Sequence, residues 1–132
     1  MKVGFTGTQR GMTILQKAGL RALLGGLKAT ELHHGDCIGA DAEADAIAHD
    51  LGLRVVIHPP ENPAKRAFCK GDAARIEKPY LVRNHDIVDE TEVLIAGPLN
   101  GEGDDPRSGT WATIRYAQRR KKRVHMLPWE GR

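Results

Sequence analysis

A chain of 132 residues has the length of one ordinary domain and can bury a core without disulfide or metal staples. Hydrophobic residues make up 40% and charged residues 28%, the balance of a globular chain rather than a disordered one. No run approaches the roughly 18 apolar residues of a membrane span, and a net charge of +3 suits an anionic ligand without demanding a nucleic acid.

The opening Met1-Lys2-Val3-Gly4-Phe5 runs straight into a strand pattern. It lacks the apolar stretch and cleavage site of a secretory signal, so a cytoplasmic protein is expected. Residues 2–6 alternate, with Val3 and Phe5 on one face. A glycine-bearing break leads to a helix over 13–24, with Thr13 as its cap and Gly25-Gly26 as its stop. Glu31-Leu32-His33-His34 reads as a short strand. On a strand the two histidines point to opposite faces, which argues against one shared metal and predicts one buried and one exposed ring. From Gly39 the pattern turns helical, with Ala40, Ala44, Ile47, Ala48 and Leu51 on one stripe and Gly52 ending it.

Residues 54–58 form the third strand, closed by Pro59-Pro60. Segment 59–79 carries repeated turn signals and reads as a long functional loop, with short helices over 64–69 and 72–77. A short helix follows over 80–89. Residues 92–96 are apolar throughout, as in a strand buried on both faces. A polar loop, a helix over 109–121 and a strand over 124–127 complete the chain. Strands separated by helices require crossover connections. The expected fold is therefore α/β: a single Rossmann-like doubly wound domain over 1–132, with a mainly parallel sheet of about five strands in the order 3-2-1-4-5.

Ligands of such sheets bind beyond the C-terminal strand ends. Three glycine-bearing loops fall there, each before a helix whose free N–H groups can face an anion. They are Thr6-Gly7-Thr8-Gln9-Arg10-Gly11, then Gly35-Asp36-Cys37-Ile38-Gly39-Ala40-Asp41, then Pro106-Arg107-Ser108-Gly109-Thr110-Trp111. Gly97 ends the fourth strand at the same edge. None of these loops is a dinucleotide fingerprint or a P-loop, which disfavours ordinary NAD enzymes and P-loop NTPases. Asp36 and Asp41 are placed to accept from ribose hydroxyls, and Arg83-Asn84 to hold a phosphate. Trp111 suits either base stacking or the core. Asp41 also suits a helix first turn, and Arg83 a surface pair with Asp86 or Asp89. The basic run at 119–123 reads as a solvated helix end before a nucleic-acid patch. Cys37 and Cys69 have no CxxC partner, and the six histidines show no metal-ligand spacing, so no metal is expected.

With Gly4-Phe5-Thr6-Gly7-Thr8, the Gly35–Asp41 motif, Tyr80-Leu81-Val82-Arg83-Asn84 and Arg107-Ser108-Gly109-Thr110-Trp111, the chain resembles the SLOG superfamily over nearly its whole length. That group includes the lonely-guy phosphoribohydrolases and the core of DNA-processing protein A. The resemblance implies a nucleotide or ribose-phosphate ligand across these loops, a homo-oligomer and no resident cofactor. The phosphoribohydrolases carry P-G-G-x-G-T-x-x-E with a catalytic Glu and an upstream Arg. Here Gly109-Thr110 and Arg83 match, but Thr113 stands at the Glu position. A binding module, a sensor or sponge, is therefore expected before an N-glycosidase using Asp36, Asp41 or Arg83, and a single-stranded DNA binder comes third.

Overall fold

The computed structural model describes residues 1–99 and 108–129. Arg107 and the loop ahead of it lie outside the described residues. The elements, in order, are β1 (Lys2–Gly7), α1 (Ile14–Gly26), β2 (Glu31–His34), α2 (Ala40–Asp50), β3 (Arg54–Ile57), β4 (Ala73–Ala74), α3 (Tyr80–Asp89), β5 (Val93–Gly97), α4 (Gly109–Arg119) and β6 (Arg123–Met126). A single turn of 3-10 helix covers Pro63–Lys65.

The sheet order is β4-β3-β2-β1-β5-β6 and every pairing is parallel. The expected five strands appear in the expected 3-2-1-4-5 order. A sixth, β4, is added at the edge beside β3. Neither short helix expected in segment 59–79 forms. The chain instead makes the 3-10 turn and the two-residue β4, whose pairing to Val56 and Ile57 is a backbone matter that Ala-Ala does not advertise. The first helix also runs through Gly25 to Gly26 before stopping at Leu27, while Thr13 caps it in a reciprocal box with Gln16.

Side chains alternate across the sheet as strand geometry requires. Val3, Phe5, Leu32, Val55, Ile57, Val93 and Ile95 pack with Leu20, Leu24, Ala44 and Ile47 from α1 and α2. Leu94 and Ala96 pack on the other face with Val88, Ile114 and Ala117 from α3 and α4. Gly4 lies where α3 comes close: a Cβ there would lie 2.9 Å from the Thr91 hydroxyl and 3.1 Å from Ile87.

His33 and His34 do point to opposite faces, but both are buried, against the expectation of one exposed ring. The reason is that each finds polar company. His33 bonds Glu31 at 2.8 Å and the His58 ring at 2.9 Å. His34 bonds Asp45 at 2.8 Å and receives the Asp36 amide at 2.9 Å. A buried ring satisfied at both nitrogens costs little to bury.

Candidate functional site

The loop after β2 is locked to its surroundings. Gly39 has φ of +87°, and any Cβ there would collide with the Gln9 carbonyl. Ala40 N–H donates to the Thr8 carbonyl at 2.9 Å, tying the loop after β1 to the start of α2. Cys37 N–H donates to Asp41 at 3.2 Å. Asp36 takes the left-handed conformation at φ +55° and is fully buried. Its carboxylate receives Arg66 Nε at 2.7 Å and Cys69 N–H at 2.8 Å. The Asp36 carbonyl accepts from Ala67 N–H, and Ile38 N–H donates to the Lys65 carbonyl. Residues 36–38 thus hold segment 65–69 alongside them. Asp36 sits in a latch, with both carboxylate oxygens engaged by protein donors.

Arg83 is the other anchor, buried at 2% exposure. The alternative of a surface pair with Asp86 or Asp89 does not hold: Asp86 pairs with Lys78 and Asp89 with Arg120. Arg83 instead donates to the carbonyls of Gly35 and His58, to Asn84 Oδ1 at 2.6 Å and to Cys37 Sγ at 3.2 Å. All four acceptors are neutral, and no carboxylate pairs with the guanidinium among the described residues. Burial pushes the Asp41 carboxyl above its usual range, against the pull of His34 and Arg83. Burial also raises the Cys37 and Tyr80 groups.

The ring of Tyr80 lies over Arg83, 4.6 Å from its guanidinium carbon. It divides the site in two. Beneath it a chamber of about 20 Å³ is bordered by Gly7, Gly35, Asp41, Arg83 and Asn84. Beyond it a cleft of about 350 Å³ is bordered by Pro60, Glu61, Asn62, Lys65 and Pro79. Gln9, Cys37 and Tyr80 border both. The smaller space has room for about one water, while the larger falls within the range of small-ligand sites. Tyr80 also reaches α4: a Cβ on Gly109 would collide with its hydroxyl.

At α4, Ser108 Oγ caps the helix by accepting from Trp111 N–H at 3.2 Å. Thr113 is buried and its hydroxyl donates to the Gly109 carbonyl at 2.9 Å. Trp111 packs against the Leu94–Ile114 cluster and meets Trp129 edge to face. Gly97 pairs with Gly7 inside the sheet.

Of the residues singled out in the sequence, the structure brings Gly7, Gln9, Gly35, Cys37, Asp41, Arg83 and Asn84 to these spaces. Thr8, Asp36, Gly39 and Ala40 hold the loops around them, and Arg10 is exposed. Sequence reading marked segment 59–79 as a functional loop but named none of the cleft residues Pro60, Glu61, Asn62, Lys65 and Pro79. It also left Tyr80 out of the ligand set, although an aromatic one helical turn before a buried Arg was a usable signal. The basic run lies at the opposite edge, where α4 ends and β6 begins. There Lys122 bonds the Thr91 carbonyl at 2.6 Å and Arg120 pairs with Asp89.

No protein-family profile matches this sequence, and no curated protein matches it. Solved structures do. The molybdenum cofactor binding protein of Rippkaea orientalis superposes with a TM-score of 0.72 at 19% identity, over 95% of this chain and 74% of its own. The Moco carrier protein of Chlamydomonas reinhardtii gives 0.70 at 20% identity, over 98% and 76%. DNA processing protein A of Helicobacter pylori, whose structure addresses single-stranded DNA binding, gives 0.66 at 22% over 97% of this chain. This chain spans 65% of that protein's length. The parallel sheet and these likenesses show a Rossmann-like α/β fold. It is the fold that the cofactor carriers and the DNA-processing proteins have in common.

Proposed function

We propose that this protein binds a nucleotide or nucleotide-derived ligand in the cleft over Tyr80, as a sensor or sponge rather than as a catalyst. The observation that carries the reading is Arg83, a buried cation held by neutral acceptors at the C-terminal strand ends. Neutral dipoles hold a guanidinium without cancelling its charge, and a charge acts further in a low-dielectric interior than in water. An anionic ligand is the missing complement. The 20 Å³ chamber is too small for a phosphate, so Arg83 acts through space. In this reading the phosphate pairs with Lys65, the cation bordering the cleft, on the side where Tyr80 reaches the start of α4. Neighbours of the same fold are named for binding a molybdenum cofactor or single-stranded DNA, which fits a ligand-binding role.

One observation favours an N-glycosidase instead: Asp41, a buried carboxyl with a raised pKa beside Arg83, has the properties of a general acid. Against it, Asp41 faces a space of about one water, and Thr113 supplies no carboxylate. The two readings separate on one experiment. Calorimetry should show a nucleoside monophosphate binding at least tenfold more tightly than its nucleoside, an effect of about 1.4 kcal/mol. Chromatography of the same mixture should show no free base. Base release lost in Asp41→Asn would establish the enzyme, and binding indifferent to the phosphate would remove the anion site.

A further inference from the structure

Resting on that reading, we propose that the cleft selects a flat heterocycle bearing an exocyclic amino group. The ring would stack on Tyr80, and the amino group would donate to Glu61. The platform is fixed before any ligand arrives. The Arg83 guanidinium lies against one side of the Tyr80 ring, and the phenol is still 43% exposed. The proline walls are fixed as well. Pro60 is buried and bridges to Lys78, and Glu61 N–H donates to the Lys78 carbonyl at 3.0 Å. A rigid slot between prolines and an aromatic face takes a planar ring at little entropic cost.

The polar groups on the same cleft set the chemistry of the ring edge. Asn62 Oδ1 already accepts from Ala64 N–H, which leaves its NH2 to donate and one lone pair for a ligand. The side chains of Glu61, Gln9 and Lys65 make no hydrogen bond or ion pair among the described residues. An ionised carboxylate only accepts, so Glu61 needs a donor on the ligand. An amino-substituted purine or pterin offers one, whereas an edge of carbonyls and bare ring nitrogens would set lone pair against lone pair. Lys65, on the same cleft, provides a cation for the phosphate.

The test is calorimetry with five probes: AMP, GMP, purine riboside 5′-monophosphate, IMP and ribose 5-phosphate. The last three lack the amino group, and ribose 5-phosphate also lacks the ring. AMP or GMP should bind at least about tenfold more tightly than ribose 5-phosphate, the scale of one base stacked on an aromatic ring. Tyr80→Ala should abolish that margin and Tyr80→Phe should keep it, which separates stacking from a folding defect. The better of the two should also exceed its amino-free counterpart, and Glu61→Gln should close that gap. Equal binding of the better of AMP and GMP and its amino-free counterpart, or of that nucleotide and ribose 5-phosphate, would overturn this inference and leave an anion site standing. Binding by none of the five would overturn the nucleotide reading, and the inference with it.

Discussion

The loop after β2 and the segment between β3 and α3 run side by side, yet they treat their polar groups in opposite ways. In the first, the donors of Cys37, Ile38 and Ala40 and both oxygens of Asp36 are taken by protein partners. In the second, Glu61 and Lys65 stand unpartnered on the cleft. The glycine-bearing loop borders the site through Gly35, Cys37 and Asp41, while most of its own polar groups are spent on clamping neighbouring segments. In the proposed reading, the wall that meets the ligand comes from segment 59–79, which carries turn signals but no ligand motif. A glycine before a helix marks close approach, and what approaches can be the protein's own backbone.

Removing the clamp should have the largest effect. Asp36→Ala leaves Arg66 without its inner partner and Cys69 N–H without an acceptor. It also puts a residue with little taste for positive φ at +55°. A loss of about 3–4 kcal/mol in urea unfolding is expected, with earlier proteolysis in segment 59–79. Unchanged protection of that segment would deny the latch.

Acid should come next, because both regions lean on neutral histidines. Burial, with the charges of His33 and Arg75, holds His58 down to about 3, against 6.5 unperturbed, and burial also lowers His33. The unfolded chain therefore takes up these protons first. Stability is fully present above pH 6.5 and falls as pH drops toward 3, by on the order of 3 kcal/mol. Replacement of His58 by Gln should flatten that slope, and a slope unchanged in the variant would assign it to the carboxylates.

Gly39→Ala should cost somewhat less, about 2–3 kcal/mol, since the new Cβ meets the Gln9 carbonyl at a positive φ. The smallest effect on folding belongs to the other region. Lys65→Ala should change unfolding by less than about 0.5 kcal/mol while weakening nucleotide binding. A large stability loss there, or intact affinity, would erase the contrast between clamp and wall.

Much of this architecture was legible because hydrophobic spacing reports it. The alternation in Val3 and Phe5, the apolar run of β5 and the alanine stripe of α2 each face a layer that the packing then supplies. β4 was not legible, because two alanines held by backbone bonds leave no periodic trace. Arg83 was singled out to hold a phosphate, with a surface pair as the alternative, but its burial was not foreseen, although Arg83, Asn84, Ile87 and Val88 fall on one buried helical stripe. The histidine pair was misjudged because burial there depends on Glu31, His58 and Asp45, which converge only in the folded sheet.

Backbone NMR titration with AMP and GMP tests the central claim most directly. The account predicts that the largest amide shifts fall at Gln9, Glu61, Asn62, Lys65 and Tyr80, and at the first turn of α4. Shifts confined to the opposite edge, around residues 119–123, would contradict it.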